Sequence, residues 1–216
     1  DPDPDKRAEG VRAMQHMCKV ARWLGAGNLY VRPGSVHPNG SWYAHPDNHK
    51  PETFETLVDS LKRVCEAAES EGTMLAIEGH TLSILDTPER IAELIDVVGS
   101  DSLRFNMDPV NFVGSVSQAF STTELIDHLF DVLGHYTICG HAKDFFLQDR
   151  LVLHVEETVI GKGIVDNARY LQRFEEACPG GFVQIEHLPD EQIPAARKAL
   201  YEIGIEAGVE WLDIDA

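Results

Sequence analysis

Met74-Leu-Ala-Ile-Glu78 is a short apolar run that ends on a carboxylate. Three later segments repeat the design: Leu103-Arg-Phe-Asn-Met-Asp108, Tyr136-Thr-Ile-Cys-Gly-His141 and Phe182-Val-Gln-Ile-Glu186. Each reads as a strand, rich in aliphatic and aromatic residues and bounded by turn signals. The terminal side chains Glu78, Asp108, His141 and Glu186 are separated by 30, 33 and 45 residues. Each gap has room for one helix and its loops. If the strands are parallel neighbours, the four side chains converge at the carboxyl end of one sheet, where such folds keep their sites. Three carboxylates and one imidazole meeting there suit a hard or borderline divalent cation.

The segments between these strands are helical. On the N-terminal side, Val11, Met14, Met17, Val20 and Ala21 recur at helical spacing over 5–25, and Gly25 and Gly27 end the pattern. Asn28–Arg32 reads as a further strand, closed by Pro33-Gly34, and a polar loop over 35–49 carries His37, Trp42, His45 and His49. Phe54, Leu57, Leu61, Val64 and Ala68 mark a helix over 51–71. Others are expected over 88–98 with Thr87 as N-cap, and over about 122–133, 165–177 and 192–206. The long excursion 142–163 includes Leu151-Val-Leu-His-Val, a candidate hairpin arm, and the acidic tail is peripheral.

Strict alternation of strand and helix implies a parallel sheet covered by helices. An open doubly wound sheet and a (β/α)8 barrel both satisfy it. No Gly-rich phosphate loop follows a strand, whereas candidate ligands on four successive strand ends favour a barrel, which gathers every strand end at one mouth. A barrel needs eight strands, and five are readable here. The expectation is therefore a single TIM-barrel-like domain over 1–216 with about five βα units, the C-terminal five-eighths of a barrel. Either about three N-terminal strands lie outside this sequence or another chain completes the core. The first residue is Asp rather than Met, which fits a fragment or a missing leader.

With 18 basic against 36 acidic residues, the net charge of −18 argues against binding to nucleic acid through phosphates. No apolar run approaches the ~18 residues that cross a membrane. Cys18, Cys65, Cys139 and Cys178 are far apart and form no C-x-x-C, which reads as buried reduced thiols in a cytoplasmic protein.

Taken together, Leu75-Ala-Ile-Glu78-Gly-His80, Asn106-Met-Asp108-Pro-Val-Asn111-Phe, Gly140-His141-Ala-Lys143-Asp144, Gly161-Lys-Gly163-Ile-Val-Asp166 and Gly181-Phe-Val-Gln-Ile-Glu186-His187 make the chain resemble the xylose isomerase-like superfamily of sugar isomerases and epimerases. The resemblance covers roughly 5–205 and implies a TIM barrel whose fifth to eighth strands bear these motifs. It implies a divalent cation, Mn²⁺ foremost, with Mg²⁺, Co²⁺ or Zn²⁺ as alternatives, held by Glu78, Asp108, His141 and Glu186. It also implies a cytoplasmic isomerase of carbohydrate metabolism that takes a small sugar or polyol and assembles as a homo-oligomer.

Isomerisation and epimerisation both remove a proton beside a carbonyl. A metal on the carbonyl and neighbouring hydroxyl stabilises the enediolate, and two carboxylates on opposite faces pass the proton. Glu78 and Glu186 are the catalytic candidates; Asp108 and His141 are ligands only. His80, Asn111, Lys143 and Arg32 are candidate substrate contacts, with Asp144 beside them, and Trp42 and His45 lie on the mouth-side loop. His187 is expected to face away from the site. The chain departs from the pattern at Asn111, where some epimerases place a histidine, and at Leu147, where some place an arginine. Two other readings remain open: a lyase or dehydratase acting on a keto-inositol or keto-sugar, and a non-catalytic subunit that completes a barrel. A DNA-repair endonuclease on a related barrel would need more histidine ligands and a basic face.

Overall fold

Asp3 opens the first helix, α1 (Pro4–Leu24), by accepting the N–H groups of Asp5 and Lys6; Gly25, at φ 65°, closes it in the left-handed conformation that glycine adopts without strain. The computed structural model describes residues 1–32 and 34–212. Pro33, expected to close the first strand, and the last four residues of the acidic tail lie outside them. The chain divides into two compact units, Asp1–Asn106 and Met107–Ala216.

In the first unit, α1 is followed by β1 (Leu29–Val31), α2 (Pro51–Glu71), β2 (Leu75–Ile77), α3 (Pro88–Val98) and β3 (Leu103–Met107), whose last residue belongs to the second unit. The three strands are parallel, with Leu29, Leu75 and Leu103 in register, so their amino ends are level and β3 runs two residues beyond the carboxyl ends of β1 and β2. Val11, Cys18 and Ala21 of α1 and Val58, Leu61, Val64, Cys65 and Ala68 of α2 are buried; of the positions expected on these faces, Met14, Val20, Phe54 and Leu57 are half-buried and Met17 is exposed. Two long-range bonds tie the elements: Gln15 Nε2 donates to Arg63 O at 2.8 Å, and Thr73 Oγ1 donates to Cys18 O at 3.0 Å. Thr87 caps α3 through the Arg90 N–H, as expected.

The second unit contains α4 (Val116–Phe120), α5 (Thr122–Leu133), β4 (Thr137–Ala142), β5 (Asp144–Leu147), β6 (Val155–Thr158), α6 (Asn167–Ala177), β7 (Val183–Ile185) and α7 (Ile193–Glu206). β4 and β7 are parallel, with His141 opposite Gln184 and Ala142 opposite Ile185. β5 and β6 form an antiparallel hairpin within the long excursion. Leu151–Leu153, expected in the hairpin arm, lie instead in its loop and are exposed; β6 begins at Val155. The short α4 has no periodicity long enough to announce it.

Two close approaches fix the second unit. Tyr170 Oη donates to Met107 O at 3.2 Å by crossing over Gly140, where any side chain would collide with that hydroxyl. Burial pushes the Tyr170 phenol well above its usual range, with the Asp108 charge adding to the effect, so it stays a neutral donor. The buried Asp144 carboxylate accepts from the N–H groups of Phe145, Gly161, Gly163 and Val165 at 2.9–3.0 Å. A Cβ at Gly163 would collide with that carboxylate, which explains the second glycine of Gly161-Lys-Gly163. The expected helix from Val165 starts at Asn167, because Asp166 serves as its N-cap through the Arg169 N–H.

Cys18, Cys65 and Cys139 are buried free thiols, and Cys178 is a half-buried one. Among the described residues no helix is long and apolar enough to cross a membrane.

Asp144→Ala leaves one buried and three partly buried N–H groups without their acceptor and is expected to destabilise the fold by roughly 3–5 kcal/mol. Chemical denaturation followed by circular dichroism measures the loss.

Candidate metal centre

In the first unit, Glu78 follows β2 directly and is buried. The β2–β3 register places Phe105 opposite Ile77, so Asn106 comes level with Glu78. Its Nδ2 donates to Glu78 Oε1 at 3.1 Å, and Tyr30 Oη donates to Glu78 Oε2 at 2.6 Å. The carboxylate is thus aimed by both neighbouring strands. The sequence did not single out Tyr30; its alternation with Leu29 and Val31 in a short strand was the available signal.

The other mouth residues of this unit gather around Trp42. The Arg32 guanidinium lies 6.0 Å from the centre of the Trp42 ring, and His80 meets the same indole edge-on at 5.8 Å. His80 is itself fixed, with Nδ1 accepting from Leu82 N at 3.1 Å. His45 is a structural residue, since its Nδ1 accepts from Asp47 N and caps the 3₁₀ turn Pro46–His49. The loop is pinned by buried Asn48, which bonds Ser35, Val36 N and Leu82 O.

In the second unit the structure brings Asp108, Asn111, His141, Lys143 and Glu186 together. Asp108 directly follows β3 and is fully buried. His141 lies near the end of β4, and Glu186 directly follows β7, with its N–H donating to Ala142 O at 3.4 Å. Continuing the β4–β7 register brings Lys143 level with Glu186. Lys143 Nζ stands 2.7 Å from Asp108 Oδ2 and 2.8 Å from Glu186 Oε2, and donates to Asn111 Oδ1 at 3.1 Å. His141 Nδ1 lies 3.2 Å from Glu186 Oε2 and 3.5 Å from Asp108 Oδ2.

The electrostatics follow from this packing. Burial favours the neutral amine of Lys143, but the adjacent Asp108 charge and hydrogen bonds to Asp108 and Glu186 outweigh it and hold the ammonium above the usual lysine range. Burial likewise opposes ionisation of Asp108 and Glu186. Lys143 and His141 outweigh it, lowering Asp108 below the ordinary carboxylate range and Glu186 to about 2.

Two neighbours of this cluster escape the sequence reading. His187 was expected to face away, yet its Nε2 lies 3.5 Å from Glu186 Oε2. Glu157 reaches the cluster from β6, 3.8 Å from Lys143 Nζ. Nothing in Val155-Glu-Glu-Thr158 marks one acid over the other until the hairpin register is known. Asp144 is explained by the loop it anchors.

Asp108, His141 and Glu186 each offer a ligand atom, all within 4.8 Å of one another. Asp108 Oδ1, although fully buried, has no hydrogen-bond donor among the described residues. A buried carboxylate oxygen without a donor, beside an imidazole and a second carboxylate, fits a divalent cation.

Lys143→Met leaves buried Asp108 and half-buried Glu186 without their cation. In metal-free protein it is expected to cost roughly 3–5 kcal/mol, with part recovered on adding a divalent ion; denaturation with and without Mn²⁺ measures this. The depressed carboxylates also set an acid limit. Glu186 has its folded value lowered from 4.5 to about 2, so its contribution is complete above pH 4.5 and lost as pH falls toward 2. Metal-free protein is expected to lose stability across that window, and Glu186→Gln to flatten the loss.

The family of xylose isomerase-like TIM barrels matches residues 1–212. No curated protein matches the chain in sequence. Solved structures with the same fold include a xylose isomerase domain protein from Planctomyces limnophilus, at 21% identity and TM-score 0.72, covering 94% of this chain and 67% of that one. A xylose isomerase-like TIM-barrel protein from Mycobacterium smegmatis in complex with magnesium matches at 14% identity and TM-score 0.71, over 95% and 68% of the two chains. A D-tagatose 3-epimerase-like protein matches at 19% identity and TM-score 0.73, over 95% and 73%. With five strands of barrel type instead of eight among the described residues, the chain is an incomplete barrel, and it belongs to the xylose isomerase-like TIM-barrel family.

Proposed function

We propose that the protein is a divalent-metal-dependent isomerase or epimerase of a sugar or related polyol, and that Glu78, Asp108, His141 and Glu186 hold the cation. The observation that carries this reading is the cluster of buried Asp108 and His141 with half-buried Glu186, with an Asp108 oxygen that no donor among the described residues satisfies. Glu78 joins the set by its equivalent place, directly after a parallel strand, with its carboxylate aimed by Tyr30 and Asn106. The magnesium in the Mycobacterium smegmatis structure and the name of the epimerase-like one support the metal and the reaction class. Mn²⁺ is the proposed ion, because three carboxylates and an imidazole form a mixed hard and borderline donor set.

When bound, the cation would polarise a substrate carbonyl and offset the charge that develops as a neighbouring carbon loses its proton. The protein's own groups do the rest. Glu186 and Glu78 take and return the proton at carbon, one on each face of the sugar. Their hydrogen bonds orient them: Tyr30 and Asn106 for Glu78, and His141 and Lys143 for Glu186. Lys143, buried and paired with two carboxylates, acts through them, with Asn111 fixing its ammonium. His80 and Arg32, on the Trp42 indole, are the proposed contacts to sugar hydroxyls. A single-domain, cytoplasmic homo-oligomer completes the proposal, and the four free thiols support the reducing compartment.

Metal analysis of purified protein is expected to find a single divalent ion per chain, lost in Glu78→Gln and Glu186→Gln. Retained stoichiometry in both variants overturns the site. Ketoses incubated in D₂O are expected to gain deuterium beside the carbonyl without losing mass as water, read by product NMR; loss of water identifies a dehydratase instead.

A further inference from the structure

One oxygen of Glu186, Oε2, is approached by His141, Lys143 and His187 together. His187 has φ 62° and is the one non-glycine residue with positive φ among those described. Glycine occupies that region freely, whereas a residue with a Cβ is strained there. The turn brings the imidazole back over the strand end. Its Nδ1 donates to both carboxylate oxygens of Glu157, at 3.0 and 3.1 Å, and its Nε2 stands 3.5 Å from Glu186 Oε2.

Glu157 is brought there by the hairpin. It lies opposite Phe145, whose side chain is fully buried, so register directs Glu157 to the inner face and Glu156 to the outer one. Glu156 accordingly bonds Gln148 at the surface, while Glu157 also lies 3.8 Å from Lys143 Nζ. The hairpin therefore contributes one side chain to the cluster, through His187 and Lys143.

We infer that Glu157 and His187 are positioning residues that fix the Glu186 carboxylate for metal binding: Glu157 holds the imidazole, and the imidazole stands against the same Glu186 oxygen that His141 and Lys143 meet. Backbone strain kept at a residue whose side chain meets a functional carboxylate is the mark of a constraint imposed by that side chain. Residues that orient ligands in this way typically change metal affinity by 10–100-fold when removed. The inference rests on the reading of Glu186 as a metal ligand.

The test is calorimetric titration of metal-stripped protein with Mn²⁺, paired with denaturation of the same metal-free samples. His187→Gly relaxes the backbone but removes the imidazole. It is expected to keep or raise metal-free stability while weakening Mn²⁺ binding by roughly 10–100-fold. Glu157→Ala is expected to weaken binding in the same direction, and Glu157→Gln, which keeps an acceptor for Nδ1, to recover toward wild type. Wild-type affinity in both His187→Gly and Glu157→Ala overturns the inference while leaving the metal site intact. A fall in affinity matched by loss of metal-free stability in His187→Gly overturns it too, as a structural effect. Absence of Mn²⁺ binding by wild type, or unchanged affinity in Glu186→Gln, removes the metal site and the inference with it.

Discussion

The ammonium of Lys143 is the interaction on which the second unit's cluster depends. Two carboxylates, Asp108 and Glu186, come from the ends of different strands; packing takes Asp108 fully out of water and Glu186 partly so. Without a cation between them, burial and mutual repulsion would favour protonation or separation. At 2.7 and 2.8 Å, Lys143 keeps both ionised and in place. The carboxylates are thus organised as ligands before any metal arrives, which lowers the ordering cost of binding one. The proposed set of Glu78, Asp108 and Glu186 with Lys143 and a dication sums to zero charge, a balance suited to a buried site.

Much of this was legible in the sequence, for identifiable reasons. Strands that are apolar up to a single charged or imidazole residue announce both their burial and the end at which the site lies, so β2, β3, β4 and β7 and their terminal residues could be read directly. α2, α3 and α5 fall over the expected ranges because amphipathic periodicity and, for α2 and α3, N-terminal prolines mark them. The incomplete strand count was equally open to arithmetic.

What stayed hidden depends on register or backbone sign. Glu156 and Glu157 are indistinguishable until Phe145 selects one of them. His187 looked like the next residue along an extended strand, which would turn it away from Glu186; a positive φ reverses that. His45, placed on the mouth-side loop, and Asp144, placed beside the candidate substrate contacts, are architecture, one capping a turn and the other gathering four N–H groups. Short polar residues serve both purposes with the same atoms, so composition cannot separate the roles.

The β5–β6 hairpin has a consequence for which changes its sequence tolerates. Its loop, residues 148–154, carries exposed apolar side chains at Leu151 and Val152 and can lengthen or shorten at little entropic cost. The strands cannot. One residue gained or lost within Val155–Thr158 would turn Glu157 outward and Glu156 inward, or shift the acid along the ladder away from His187. Insertions and deletions in this arm should therefore be confined to its tip, even though both halves of the hairpin lie at the surface for much of their length.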